Sequence, residues 1–151
     1  MENFPLNGVY EVGNELLDDQ HKVILNYMAK VYTYLLADKK GDDLFGLINR
    51  LDTGCKLHFL DEEKFMEEME LPEIDEHKAQ HALFVMHLEN FMGRYEESEI
   101  VKNIDELVFL KAWFMEHIEV FDKRYAEFKK RFDEMVHESI QQAALRNSTT
   151  K

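Results

Sequence analysis

Two pairs of metal-binding residue types lie in the middle of the chain, and the members of each pair are four residues apart. They are His58-x3-Glu62 and His77-x3-His81, each in a segment whose apolar residues recur at helical spacing. Residues four apart on an α-helix lie about 40° apart around its axis, so each pair can direct two side chains at one point. Pro72 separates the pairs and predicts a loop between them. The spacing therefore predicts a metal site between two neighbouring, antiparallel helices.

The apolar residues predict four amphipathic helices and no strand. Asp18 or Asp19 is the predicted N-cap of the first helix, and Asn103-x-x-Glu106 has the spacing of a capping box for the fourth. The predicted fold class is all-α: an up-down-up-down four-helix bundle with an irregular N-terminal arm over residues 1–17 and an extended fourth helix. The helices are expected at about 18–37, 42–69, 72–95 and 103–147.

Composition narrows the class of protein further. The chain has 151 residues, 45% of them hydrophobic, which is enough for one domain with a real core. A formal net charge of −13 argues against a nucleic-acid partner or an anionic membrane surface. With one cysteine, no signal-like N-terminus and no long apolar run, the chain is expected to be cytoplasmic and without a membrane partner.

The first and fourth helices supply further ligand types. His21 lies in the first turn of the first helix, and His117-x4-Asp122 lies on the fourth. Five residues place His117 and Asp122 about 140° apart on a regular helix. Both can reach one site only if the helix widens locally, as in a π-bulge, or if Asp122 reaches in sideways. The candidate metal ligands are thus His21, His58, Glu62, His77, His81, His117 and Asp122; two further histidines, His87 and His137, are assigned structural roles.

The ligand types narrow the choice of metal. Seven ligands are too many for one tetrahedral zinc, five imidazoles argue against calcium or magnesium, and thiolate sets for iron–sulfur clusters are missing. Two first-row transition metals bridged by Glu62 and Asp122 use all seven. Seven residues cannot saturate two octahedral ions even with a bridging solvent, so an open position for an exogenous ligand is expected.

The segments that carry these residues resemble the haemerythrin family, specifically its bacterial branch, over roughly residues 8–130: GNELLDDQH, HFLDEEKFM, H-x3-H and WFMEHIEVFD. The resemblance implies two iron ions with an oxo or hydroxo bridge and O2 as the ligand, with azide and similar small anions binding the diferric form. It also implies that His77, His81 and His117 hold a saturated iron. His21 and His58 would hold the iron with the vacant position, and Glu62 and Asp122 would bridge the pair.

Reversible O2 binding requires a dry pocket, and apolar neighbours of the ligands are candidates to line it. Gly54 and Cys55 lie one turn before His58 and predict a small access space there. Family members usually have a tryptophan in the N-terminal arm, and Phe4 is expected to substitute for it. The predicted pocket lining is Leu25, Gly54, Cys55, Phe59, Phe84, Val85, Trp113, Phe114 and Ile118.

The apolar stripe of the fourth helix continues past the family's usual end. The domain boundaries are therefore predicted as a di-iron bundle over 1–131 and a helical extension and tail over 132–151. The end QQAALRNSTTK resembles the link before diguanylate cyclase domains, so an output domain after Lys151 and a dimer through the extended helix are expected. The first hypothesis is a non-enzymatic O2 or redox sensor domain. The alternatives are a freestanding O2 carrier or store, and a di-iron oxidase or peroxide-consuming enzyme.

Overall fold

The computed structural model describes residues 10–149, which form helices joined by short links. We number the helices in chain order. The segment Ile118–Asp122 is π-helical and joins α4 to α5 without a break, so these three make one continuous rod. The α-helices are α1 (Glu15–Leu36), α2 (Asp42–Glu68), α3 (Ile74–Arg94), α4 (Ile100–His117) and α5 (Lys123–Thr149).

The helices form the predicted all-α four-helix bundle, and the described residues contain no strand. Helix α1 packs against α2 and α4, and α3 packs against the same two helices. Each link between consecutive helices of the bundle is five residues long, over 37–41, 69–73 and 95–99. Links this short make consecutive helices antiparallel neighbours, which is the up-down-up-down arrangement.

The predicted N-cap of α1 was wrong. The helix begins at Glu15, and Asn14 is the cap, with its side-chain oxygen accepting a hydrogen bond from Leu17 N at 3.1 Å. Asp18 instead lies in the first turn of the helix, where its carboxylate bonds the arm before the helix. Asn14 and Asp18 are both cap-type residues, and the chain direction set by Gly13, at φ +80°, places the cap at the earlier one.

The predicted capping box at Asn103 was also wrong. Helix α4 begins at Ile100, after Glu99 in an extended conformation. Asn103 is buried, and its Nδ2 donates to the carbonyl of Tyr95 at 2.7 Å. The residue therefore ties the end of α3 to the start of α4.

Two apolar clusters form the core. The larger contains Ile24, Cys55, Phe84 and Phe114, and the smaller consists of Leu17, Met66 and Tyr125. On α1, α2 and the rod formed by α4, the π-helical turn and α5, the candidate ligands lie where the chain passes from one cluster to the other. A layer of polar side chains thus divides the apolar interior near one end of the bundle.

Helix α5 leaves the bundle as a projecting rod. Every residue over 130–149 is exposed, including the apolar side chains Phe132, Met135, Val136 and Ile140. Twenty helical residues extend about 30 Å. No helix within residues 10–149 is long and apolar enough to cross a membrane. Phe4 lies outside the described residues.

Candidate metal centre

All seven predicted ligands are buried and converge on one place in the bundle. None of their side chains is more than 4% exposed. Their ligand atoms form two overlapping groups, and the atoms within each group lie within 4.8 Å of one another. The five-residue group is Glu62, His77, His81, His117 and Asp122; the four-residue group is His21, His58, Glu62 and Asp122.

The π-helical turn brings His117 and Asp122 to the same side of their helix. The amide of Lys123 bonds the carbonyl of Ile118, five residues back. The i→i+5 pattern widens the turn, so residues five apart come into line. Asp122 Oδ1 consequently lies 3.0 Å from His117 Nε2. Of the two arrangements that the sequence left open, the structure has the local widening.

The two carboxylates divide their oxygens between the two groups. Glu62 Oε1 lies 2.9 Å from His77 Nε2 and 3.0 Å from His81 Nε2, whereas Oε2 lies 3.2 Å from His58 Nε2. Asp122 Oδ1 lies 3.1 Å from His77 Nε2, and Oδ2 lies 3.3 Å from His21 Nε2. Each carboxylate therefore faces both groups at once, which is the arrangement required of a bridging ligand.

Three of the imidazoles are oriented by acceptors outside the cluster. His21 Nδ1 lies 3.2 Å from the carbonyl oxygen of Tyr10, His58 Nδ1 lies 2.9 Å from Gln20 Oε1, and His81 Nδ1 lies 2.8 Å from Glu63 Oε1. These oxygens only accept hydrogen bonds, so each Nδ1 carries a proton, and the neutral form of each ring presents the lone pair of Nε2 to the cluster. An acceptor on the outer nitrogen is the usual support of a metal-binding histidine.

The inward-facing atoms fit a cation. The Nε2 atoms of His21 and His58 and both oxygens of Asp122 are buried without a hydrogen-bond partner. Such orphaned acceptors facing one another are costly unless a positive charge lies between them. In the five-residue group, His77 Nε2 and His81 Nε2 each lie 3.1 Å from His117 Nε2. Neighbouring ligands on an octahedral ion are √2 bond lengths apart, so this spacing corresponds to a metal–nitrogen bond of about 2.2 Å.

The negative charges of Glu62 and Asp122 also favour protonation of the histidines, so protons compete with a metal ion for the site. Burial lowers the pKa of His21, but the neighbouring carboxylates of Asp122 and Glu62 outweigh it and raise the pKa to about 9. The pKa of His77 is raised to about 9 by the same carboxylates, again against burial. Burial and the charge of Glu62 raise the pKa of Asp122, but the neighbouring His117, His21 and His77 outweigh them and lower it to about 2. Burial raises the pKa of Glu62, but the surrounding histidines outweigh it and hold that pKa well below its usual value. The two carboxylates are therefore ionised at neutral pH and available to bind metal.

Aromatic rings enclose the histidines. The rings of Trp113, four residues before His117, and Phe121, four residues after it, both stack on the His117 ring, with centroids 4.8 and 5.3 Å away. Phe59 stacks on His81 at 4.1 Å. Phe114 meets His21 and His58 edge-on, at 5.8 and 6.0 Å. Phe114 is therefore the aromatic side chain that encloses both histidines of the four-residue group.

The remaining predicted pocket residues lie in different surroundings. Leu25, Cys55, Phe84 and Ile118 are buried in the larger apolar cluster. Burial raises the pKa of the Cys55 thiol far above its usual range, and Cys55 belongs to neither ligand group. Val85 is half-buried and lines an open groove of about 610 Å³ between α2 and α3, together with Phe59 and His81.

Gly54 lies at the contact between α1 and α2. A Cβ built on Gly54 would meet Ile24 Cγ1 at 3.9 Å, an ordinary van der Waals distance. A small side chain thus fits at this position without displacing its neighbours.

One residue at the site was missed by sequence reasoning. Tyr125 is fully buried, and its hydroxyl donates to Glu62 Oε2 at 3.0 Å. Burial and the charges of Glu62 and Asp122 hold its pKa well above the usual value, so it stays a donor at neutral pH. Its position three residues after Asp122 was the available signal, since residues three apart share a helix face.

Two histidines stay outside the cluster, as predicted. His87 packs against the ring of Phe109 at 5.4 Å, and His137 contacts Gln141 on the exposed part of α5.

An all-α bundle with a buried cluster of histidines and two shared carboxylates defines a metal-binding four-helix protein. Comparison with known families identifies it more closely. The profile of the hemerythrin HHE cation binding domain matches residues 12–138. The chain therefore belongs to the hemerythrin family.

Curated relatives agree with this assignment. The chain is 30% identical over 110 residues to hemerythrin from Phascolopsis gouldii, covering 73% of this chain and 79% of that protein. It is 25% identical over 122 residues to bacteriohemerythrin from Clostridium acetobutylicum, covering 78% of this chain and 95% of that protein. With bacteriohemerythrin from Stenotrophomonas maltophilia the identity is 28% over 120 residues, covering 77% and 74%. No solved structure matches the chain.

Proposed function

We propose that the chain binds O2 at a di-iron centre. The observation that carries this proposal is the inequality of the two ligand groups, which share both carboxylates but contain five and four residues. With one bridging solvent, five protein ligands complete an octahedron and four leave one position open. When bound, the two irons would supply the electrons and the open position for reversible O2 binding. The open position belongs to the group that contains His21 and His58.

The side chains of the proposed site have distinct roles. His77, His81 and His117 would hold one iron, His21 and His58 would hold the other, and Glu62 and Asp122 would be shared by the two. Phe114 keeps water away from the four-residue group, because its ring is buried against both histidines there. Excluding water favours release of O2 unchanged over the oxidation of the irons.

A direct test measures O2 uptake by the iron-loaded, reduced protein. The proposal predicts one O2 for every two irons, bound reversibly when the gas phase is cycled between O2 and argon. In the oxidised protein, azide should shift the charge-transfer absorption. Irreversible oxidation without uptake, together with no response to azide, would contradict O2 binding at an open position.

The second part of the proposal is that this O2 or redox site acts as a sensor and is not an enzyme. Its support is the continuity of the rod formed by α4, the π-helical turn and α5. His117 immediately precedes the π-helical turn, Asp122 ends it, and α5 continues from that turn into its exposed segment. A change at the iron that alters the turn would be transmitted along α5 to a second copy of the helix or to an output domain beyond Lys151. Such coupling requires a free-energy difference between two helix positions.

The competing proposal is a freestanding O2 carrier. It is favoured by the Clostridium acetobutylicum relative, since the match covers 95% of that protein and leaves it little room for an output domain. Spin-label distances across residues 128–145, measured in the reduced, O2-bound and oxidised states, separate the two. Distances that change with state support the sensor, and identical distances in all three states support the carrier.

A further inference from the structure

Asp18 connects the N-terminal arm to the first turn of α1. Its Oδ1 accepts a hydrogen bond from Val12 N at 2.7 Å, and its Oδ2 accepts one from Gly13 N at 3.2 Å. The carboxylate thereby closes a loop of five to six residues onto its own helix. The bonds involve backbone amides, so they hold the path of the arm whatever the arm's side chains are.

The arm in turn contacts a candidate metal ligand. The carbonyl oxygen of Tyr10 lies 3.2 Å from His21 Nδ1, and it is the hydrogen-bond acceptor that orients that imidazole. Tyr10 lies two residues before Val12, the first of the two amides that Asp18 holds. A displacement of Val12 would therefore displace the Tyr10 carbonyl and leave His21 Nδ1 without its acceptor.

His21 belongs to the four-residue group alone, whereas Glu62 and Asp122 belong to both groups. A loss of orientation at His21 consequently affects one of the two metal positions. Replacing an outer acceptor of a metal-binding histidine typically weakens metal binding about 10- to 100-fold.

We infer that Asp18 is a positioning residue which, by holding the arm, keeps the Tyr10 carbonyl on His21 and selectively strengthens the metal position held by His21 and His58. The inference rests on the proposed two-metal site. Asp18 is not a ligand, because its two oxygens are directed at the arm amides and it is absent from both ligand groups.

A simpler role for Asp18 is electrostatic, because an acidic residue in the first turn stabilises a helix through its dipole. Asp19 provides the matched control. It is the next residue along α1, carries the same charge and is exposed. Asp18→Asn separates charge from hydrogen bonding, since an amide oxygen can still accept one of the two amide bonds while the charge is lost.

The experiment titrates metal-free protein with Co²⁺ by calorimetry and measures amide hydrogen exchange at Val12 and Gly13. Wild type and Asp19→Asn should each show two binding steps, and the affinity of each step should be the same in the two proteins. We assign the weaker step to the four-residue group, which offers one ligand fewer than the other group. In Asp18→Ala the affinity of the tighter step should stay within about threefold of wild type, and the affinity of the weaker step should fall about 10- to 100-fold. The affinity of the weaker step in Asp18→Asn should lie between its values in wild type and in Asp18→Ala. Exchange at Val12 and Gly13 should quicken in Asp18→Ala and stay unchanged in Asp19→Asn.

Three results would overturn the inference. One is a second step in Asp18→Ala that matches Asp19→Asn. Another is equal weakening of both steps, which indicates general destabilisation. The third is equal loss in Asp18→Asn and Asp18→Ala, which assigns the effect to charge. A wild-type chain that takes up one Co²⁺ contradicts the two-metal function itself, and so is distinguishable from a failure of the role given to Asp18.

Discussion

The hydrogen bond from Tyr125 to Glu62 makes a sharp prediction, because a single atom can be removed without opening a cavity. Tyr125→Phe deletes the hydroxyl that lies 3.0 Å from Glu62 Oε2 and keeps the ring against Phe65 and His77. Glu62 is fully buried, so water cannot replace the lost donor. The variant therefore tests how strongly the bridging carboxylate depends on a donor from α5.

The size of the effect follows from burial and charge. Hydrogen bonds to charged groups contribute about 1.5–3 kcal/mol, more than the roughly 1 kcal/mol of a neutral pair. We expect Tyr125→Phe to lower the free energy of unfolding of the metal-free protein by about 1.5–3 kcal/mol. In a domain of this size each kcal/mol shifts Tm by about 2–4 °C. The metal stoichiometry should stay at two, because Tyr125 belongs to neither ligand group.

Chemical denaturation of the metal-free protein measures the change, with Tyr95→Phe as the matched control. Tyr95 also donates to a carboxylate, Glu96 Oε1 at 3.2 Å, but Glu96 is exposed and lies outside the metal site. That variant should lose less than about 1 kcal/mol, since water replaces the partner. Equal losses in the two variants would refute the argument that Glu62 depends on Tyr125.

Three further predictions concern pH, Gly54 and the projecting helix. His21 and His77 have pKa values of about 9 in the folded chain, so their protonation stabilises the metal-free fold fully below pH 6.5. The unfolding free energy should therefore fall as the pH rises from 6.5 to 9. A flat profile over that range would show that the histidines are not paired with Glu62 and Asp122. Gly54→Ala should raise the unfolding free energy by about 0.5–1 kcal/mol at unchanged iron content, because its Cβ has room beside Ile24 and alanine favours the helix; a loss of stability would indicate a tighter contact than 3.9 Å. A chain ending at Arg131 should keep the metal content and the Tm of the full chain, because the removed side chains over 132–149 are exposed. A fall in Tm of about 5 °C or more, which is about 1.3–2.5 kcal/mol, would show that the bundle extends beyond the proposed boundary.

Helical spacing predicted the fold and the convergence of the candidate ligands. Pairs four residues apart, such as His58 with Glu62, must share a helix face wherever the helix lies. The five-residue interval between His117 and Asp122 signalled a departure from regular helix. It did not decide between widening and a sideways approach, because both depend on packing with the other helices.

The helix starts and the hydrogen bonds to the outer ring nitrogens of the histidines could not be predicted from the sequence, because both depend on contacts outside the helix concerned. Asn14, Asp18 and Asn103 are all cap-type residues, and only the path of the preceding chain decides which one caps. Gln20, Glu63 and the Tyr10 carbonyl orient histidines across helix boundaries. Those contacts depend on the register between helices, which the period of one helix does not contain.

The central claim is that the buried cluster holds two metal ions that share Glu62 and Asp122. The measurement that tests it most directly is iron per chain after anaerobic loading and removal of free metal, compared among wild type, His77→Ala and the control His87→Ala. His87 is a histidine on the same helix but outside both ligand groups. Wild type and His87→Ala should each hold about two irons, and His77→Ala at most one, because His77 contributes to the five-residue group. One metal ion in wild type, or two retained in His77→Ala, would contradict the two-metal site.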